Sequence, residues 1–583
     1  MNRNTLWATI LLDELARSGV RHVCIAPGSR STALTLAAAK HPALECTVHL
    51  DERSAAFFAL GLAVATARPP VLICTSGTAA ANFFPAIIEA RQSRIPLIVL
   101  TSDRPHELRY SGANQTIDQL ELYGKYPLWS VDLALPEQTP SALAIRNLRT
   151  LVNRAVAIST GLPQGVVHLN APFRKPLEPT PVAGDLAQAP PAAQARAAAF
   201  SRISPVRPAP PEPAVVAHWA RELAQASNGV IICGPNMRSA GLKDAVTRLA
   251  QTCGYPILAD PLSGVRFCEH PTVIGSYDSI LSALPDALDS CTLVLRFGDV
   301  PTSQALGAAL TRLRPERYLH VTSDGVWSDD SHLLSDQLTC DAIQFCELLT
   351  RQLSVRRTDY LATWQRLEAL TWQQTAAHFD KQPFFDAVAV YDTLQQLPPQ
   401  STVLLGNSLP MRHADQFGRP RPGDYLIHGN RGASGIDGNI STALGLGYAR
   451  RDRPLIAILG DITFYHDMNG LLACKLLELK PTIVLLNNGG GGIFERLPVS
   501  AFEPHFTPYF VTPHQLDFAH SAALYGLAHR RVTTRTDLQQ ALVRSLSTAQ
   551  GSLIEVVTDA KTDLQRRQDL LAALRGVLRS PIS

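Results

Sequence analysis

No Cys-x-x-Cys pair occurs in this chain of 583 residues, and its ten cysteines are scattered from Cys24 to Cys474. That scatter argues against structural zinc and against a disulfide scaffold, and it predicts the reduced thiols of a cytoplasmic protein. No apolar run approaches the roughly 18 residues of a membrane-spanning helix. The segment from Asn4 to Arg17 is interrupted by Asp13 and Glu14 and has no small-residue cleavage site, so it predicts an amphipathic helix rather than a leader. A surplus of either charge is missing as well. The 53 basic and 50 acidic residues leave a net charge of +3, without the footprint of a nucleic-acid binder. What is present, 46% hydrophobic and 18% charged residues, is an ordinary enzyme composition that points to small-molecule partners. The length predicts three or four domains.

Residues 1–180 alternate apolar strands, expected at 21–26, 46–50, 71–75 and 96–101, with turns rich in Gly, Ser, Pro or Asp and amphipathic helices. This is the pattern of a parallel α/β sheet. Residues 181–213 shift to Pro, Ala and Gln, with Pro190-Pro191 and Pro208-Ala209-Pro210-Pro211 among them, and read as a linker. A second α/β block spans 214–355, with strands near 229–233, 256–259, 292–297 and 318–322. Its strand ends, Gly234-Pro235 and Gly298-Asp299, form no dinucleotide fingerprint. A third block spans 356–583.

In that third block, Pro454 to Leu459 reads as a buried strand, 466–479 as a helix, and Thr482 to Leu486 as another strand. Gly460-Asp461 closes the first strand and Asn487-Asn488-Gly489-Gly490 the second, with Asp461 and Asn488 27 positions apart. A right-handed crossover makes the strands parallel, so both turns emerge at the carboxyl edge where open sheets bind ligands. A carboxylate, an amide oxygen and backbone carbonyls suit Mg²⁺, whose shell phosphate oxygens and water complete. The glycines from Gly489 to Gly492 let backbone approach a diphosphate.

This segment resembles the thiamine-diphosphate fingerprint of the decarboxylase and carboligase superfamily. Ile462 stands where many members carry a second glycine. The resemblance implies an α/β fold of three consecutive doubly wound parallel-sheet domains. The first would hold the aminopyrimidine ring and the third the diphosphate, facing each other across the interface of a homodimer or a dimer of dimers. It implies thiamine diphosphate as cofactor, with Mg²⁺ or Mn²⁺ held by Asp461, Asn488 and the Gly490 carbonyl. Gly460, Ile462 and Ile493 would contact the cofactor. Such a cofactor needs a carboxyl group at N1′ of its aminopyrimidine, and Glu52 is the candidate. Glu52 follows the strand Cys46 to Leu50 and opens a helix expected from Arg53 to Ala67, in apolar surroundings that raise a carboxyl pKa. The plainer reading of Glu52 is an acid complementing a helix N-terminus.

Arginine recurs at the remaining strand ends. Pro27-Gly28-Ser29-Arg30-Ser31-Thr32, Ser102-Asp103-Arg104-Pro105, Ser408-Leu409-Pro410-Met411-Arg412 and Asn430-Arg431-Gly432-Ala433-Ser434-Gly435-Ile436-Asp437-Gly438 each place a guanidinium beside Ser or Asn, and Asn114-Gln115 lies in a nearby loop. Any one of them could be a solvated turn. Several at one site imply a substrate with several carboxylates, which guanidinium binds through paired hydrogen bonds. With Asp51-Glu52-Arg53 and Asn488-Gly489-Gly490, these runs are similar to the 2-succinyl-5-enolpyruvyl-6-hydroxy-3-cyclohexene-1-carboxylate synthase family of menaquinone and phylloquinone synthesis. That similarity implies a transferase that decarboxylates 2-oxoglutarate and adds the four-carbon unit to isochorismate. Ile436 would lie beneath the cofactor, and Ser29, Arg30, Arg104, Asn114, Gln115, Ser408, Arg412 and Arg431 would hold substrates. Family members can bring a cation from the middle domain, whereas the corresponding turn here, Gly298 to Gln304, has none. Another carboligase of the superfamily, such as an acetohydroxyacid synthase, and a non-catalytic thiamine-diphosphate binder are the alternatives.

Overall fold

A computed structural model describes residues 2–186, 198–237 and 239–579. Pro190-Pro191 of the expected linker lies outside the described residues. Three sheets of six strands follow one another along the chain, and every strand pair is parallel.

The first sheet contains β1 (His22–Ile25), β2 (Glu45–Val48), β3 (Val71–Cys74), β4 (Leu97–Asp103), β5 (Trp129–Asp132) and β6 (Val166–Pro172), in the order β2-β1-β3-β4-β6-β5. The second contains β7 (Gly229–Cys233), β8 (Ile257–Ala259), β9 (Val273–Ile274), β10 (Leu293–Phe297), β11 (Arg317–Thr322) and β12 (Asp336–Thr339), in the order β12-β11-β10-β7-β8-β9. The third contains β13 (Thr402–Leu405), β14 (Leu426–His428), β15 (Leu455–Gly460), β16 (Thr482–Asn487), β17 (Ala528–Val532) and β18 (Ser552–Val557), in the order β14-β13-β15-β16-β18-β17. The outer sheets thus share one topology. The middle sheet has the strand order of dinucleotide-binding folds. At its switch point, however, a Cβ on Gly234 would collide with the Asp299 carbonyl, and one on Gly298 with that of Gly234. The two turns therefore approach each other backbone to backbone at this edge.

The chain forms two compact units. One comprises Met1–Arg207 with Asn430–Asp452 and His466–Leu479; the other comprises Pro208–Gly429, Arg453–Tyr465 and Lys480–Ser583. In the first unit, the helix Glu52–Thr66 packs on the helix Asn439–Ala449. A Cβ on Gly61 would strike the Thr442 carbonyl, and one on Gly445 the Phe58 carbonyl. The two glycines let the helix backbones touch, which fixes the helix that begins at Glu52. In the second unit, buried Arg266 donates to the Asp415 carbonyl, and Tyr277 donates to the Asp415 carboxylate at 2.8 Å. These contacts tie the second sheet's layer to the third.

The single helix expected over 466–479 is broken. The chain instead forms the short helix Asp461–His466, a 3₁₀ turn Met468–Leu471, and the short helix Leu472–Leu476. The break lies at Asp467. Its buried carboxylate accepts from the Ser441 N–H (2.7 Å) and hydroxyl (3.1 Å), capping the first turn of the helix Asn439–Ala449. At Gly470 a Cβ would collide with the Ser441 hydroxyl, so the 3₁₀ turn can close against that helix.

Candidate active site

At the carboxyl edge of the first sheet, Asp51 takes the role that helix capping would have assigned to Glu52. Its carboxylate accepts from the Arg53 and Ser54 N–H groups at 2.9 and 3.3 Å. The first helical residue, Glu52, is half-buried and has no capping duty. Its neighbours Ala55, Ala56, Phe57 and Phe58 are fully buried. Burial drives the thiol of Cys74, at the end of β3, well up from its usual range, and the negative charge of Glu52 adds to that rise.

Two of the predicted arginines are brought together here. Arg30, only 6% exposed, donates to the Phe173 carbonyl at 2.8 Å. Arg104 donates to the Ser76 hydroxyl. The Arg30 guanidinium is held below its usual pKa, by burial first and by the positive charge of Arg104 second. Two like charges facing one another in a partly dry site define a place for an anion. Gln115 joins them, since its amide donates to the Ser76 carbonyl at 2.9 Å. Ser29 and Asn114 are exposed on the same loops.

Ser76 was not singled out in the sequence. Its signal was the Ser-Gly turn after β3, which leaves the same sheet edge as the chosen turns. Glu89 was also missed. Buried on the helix Phe84–Gln92, it accepts from the Gly432 and Ala433 N–H groups at 2.8 and 2.7 Å. It thereby holds the loop that carries Arg431 and Ile436, both half-buried.

At the carboxyl edge of the third sheet, Asp461 follows β15 directly and is buried. Its carboxylate accepts from the Ile462 N–H (2.7 Å) and the Gly490 N–H (3.0 Å), and His514 approaches it at 3.2 Å. Burial raises its pKa, against the pull of these donors. Asn488 points its side-chain oxygen into a buried position with no hydrogen-bond partner. A Cβ on Gly490 would collide with the Val511 carbonyl, so only glycine fits there. A buried carboxylate and an orphaned amide oxygen, next to a turn of bare backbone, fit a hard divalent cation. A cluster of three or more His, Cys, Asp or Glu residues able to hold a metal is absent among the described residues. Gly460 and Ile462 flank Asp461. Arg412 donates to the carbonyl of Ser408 at 3.0 Å, and with Ile493 it lines a cavity of about 470 Å³.

The thiamine pyrophosphate enzyme N-terminal domain family matches residues 7–122, the middle domain family 208–405, and the C-terminal domain family 408–556. The 2-succinyl-5-enolpyruvyl-6-hydroxy-3-cyclohexene-1-carboxylate synthase of Roseiflexus castenholzii is 53% identical over 580 residues, covering 99% of both chains. Proteins with the same description from Geobacillus kaustophilus and Haloquadratum walsbyi are 43% and 41% identical, covering 95% and 98% of both chains. The chain belongs to this synthase family. Like the family, it is a thiamine-diphosphate-dependent transferase with three α/β domains. No described helix is long and apolar enough to cross a membrane.

Proposed function

We propose that the chain decarboxylates 2-oxoglutarate and joins the four-carbon remainder to isochorismate, giving 2-succinyl-5-enolpyruvyl-6-hydroxy-3-cyclohexene-1-carboxylate and CO₂ in menaquinone or phylloquinone synthesis. Bound thiamine diphosphate supplies the carbon nucleophile and the thiazolium ring that takes up the electron pair left by CO₂. The protein's own part starts at Glu52, which holds a proton at N1′ of the aminopyrimidine. Asp461, Asn488 and the Gly490 carbonyl hold Mg²⁺, or Mn²⁺ in its place, against the diphosphate. Ile436 shapes the cofactor from below, with Gly460, Ile462 and Ile493 around it.

Both substrates are dianions, and Arg30, Arg104, Arg412 and Arg431 bind their carboxylates. Ser29, Asn114, Gln115 and Ser408 add neutral hydrogen bonds. The working unit is a cytoplasmic homodimer in which first and third domains complete each other's site. The observation that carries the reading is the division of labour between Asp51 and Glu52. Because Asp51 caps the helix, the Glu52 carboxyl stays available to a ligand. The test incubates the pure protein with thiamine diphosphate, Mg²⁺, 2-oxoglutarate and isochorismate. Mass analysis should find the succinylated cyclohexene product; CO₂ release without it would point to a simple decarboxylase.

A further inference from the structure

The turn from Gly298 to Gln304 brings no cation, yet the cavity it helps to line carries three arginines against two aspartates. Thr302, Ser303, Gln304 and Ala305 form one wall of the roughly 470 Å³ space, and Arg412, Arg496 and Arg567 project from others. Arg496 lies just past the glycine run of the diphosphate turn, and Arg567 comes from the helix Ala560–Arg579.

Arg567 donates to the Gln416 side chain at 2.7 Å. The Arg496 side chain makes no hydrogen bond or ion pair with any described residue. Burial, then the charges of Arg567 and Arg412, push its pKa down to about 10, so it remains cationic at neutral pH. The acids near the cavity offset these charges only in part, Asp278 and Asp386 attracting both Arg496 and Arg567. Asp278 accepts from the Ser303 hydroxyl at 2.6 Å. Asp415 is engaged by Tyr277 and Arg266, and burial raises its carboxyl pKa well above the usual range. Asp386, which also attracts Arg496, is paired with His413 at 2.7 Å. Three guanidiniums in the lining against the carboxylate of Asp278, with the Asp415 carboxyl pushed toward its neutral form, leave an excess of positive charge for an anion to meet.

We propose that Arg496 and Arg567, together with Arg412, form a carboxylate subsite for a dicarboxylate substrate, supplying from the third domain the cation that the middle-domain turn lacks. The assignment rests on the reaction proposed above and adds two specificity-determining residues to it. The subsite faces Gln304, so a lysine there would reach the same anion.

The test uses the full chain with thiamine diphosphate and Mg²⁺. In R496Q/R567Q, the KM for 2-oxoglutarate or for isochorismate should rise ten- to hundred-fold, as expected for losing charge-assisted hydrogen bonds. Adding Q304K to the double variant should recover much of that loss. A binding readout is independent of turnover: glutarate, an unreactive dicarboxylate, should protect Arg496 and Arg567 of the wild-type protein from phenylglyoxal, read by mass mapping. If both KM values of a folded double variant stay within twofold of wild type, the subsite is wrong. If the double variant does not fold, absence of glutarate protection at both arginines overturns it instead. Protection by glutarate in a protein that makes no succinylated product would keep the subsite and refute the proposed reaction.

Discussion

The first and third sheets share a strand order but differ in what surrounds the carboxylate at their carboxyl edges. The first presents Arg30 and Arg104, pressed close enough for one to depress the other's pKa, beside the uncommitted carboxyl of Glu52. The third presents buried Asp461 and the orphaned oxygen of Asn488 around bare glycine backbone. The strand order is the same in both sheets; a few residues at the strand ends distinguish them, and the proposed function gives anions and proton chemistry to one and a cation to the other. The middle sheet is the control. Its strand order is the one associated with dinucleotides, and its two glycine turns close on each other instead.

That contrast can be broken at its strongest points first. Glu52→Gln should bind cofactor nearly as wild type but lose turnover by about 10²- to 10⁴-fold, the range for a removed proton-transfer group. Hydrogen-deuterium exchange at the cofactor C2, followed by NMR after acid quench, checks it; wild-type exchange would mean that another group activates the ring. On the third sheet, Asp461→Ala should weaken Mg²⁺-dependent thiamine-diphosphate binding by about a hundred-fold or more, because the ion loses its charged ligand. Isothermal titration with unchanged affinity would remove the metal assignment.

Smaller effects separate the anion side into its parts. Alanine at Arg30, Arg104 or Arg431 should each cost roughly ten- to hundred-fold in kcat/KM for at least one substrate. Lysine should rescue poorly because it lacks the planar fork. Should all three alanine variants keep both kcat/KM values within twofold, the substrate would not be a multiple anion.

Smallest is a pH effect away from the chemistry. Burial raises the Asp467 carboxyl to about 7, against the pull of Ser441 and Arg53 and with added repulsion from Asp51. The folded state therefore keeps this proton where an unfolded carboxyl, with a pKa near 4, has released it. Stability from this group is full below about pH 4 and is lost as pH rises to about 7. Asp467→Asn should flatten that slope and raise stability at pH 8 by on the order of 1 kcal/mol. Thermal melts across pH 4.5 to 8 with parallel wild-type and variant curves would refute it.

Much of this was legible in the sequence because central parallel strands are continuous apolar runs. β1, β3, β4, β7, β8, β10, β11, β15 and β16 lie where such runs predict them, as does the edge strand β2. The strands left unread are mostly short, edge or polar ones: β9 has two residues, β12 reads Asp-Gln-Leu-Thr, and β17 carries His529, Arg530 and Arg531. An edge strand buries too little to need an apolar pattern. β6, apolar and central, was passed over, although its Val-Val-His-Leu-Asn-Ala-Pro run carries the same signal. Asp461 and Asn488 were readable because they sit at fixed offsets within one crossover. Glu89 and Arg567 were not, since their partners are remote in sequence, whereas Ser76 and Arg496 lie beside turns that could have drawn attention to them. The broken helix at Asp467 has the same origin: its carboxylate caps another helix, a demand invisible in local periodicity.

The touching backbones of Gly61 and Gly445 also set a timetable. The helix ending at Thr66 leaves the ribosome well before the helix that starts at Asn439, and at about 5 to 20 residues per second the gap is on the order of half a minute. Throughout that interval the small-residue face around Gly61 has no partner to cover it. The nascent first domain therefore waits with this seam uncovered, and a fragment that stops at Arg207 would lack the helix that covers it.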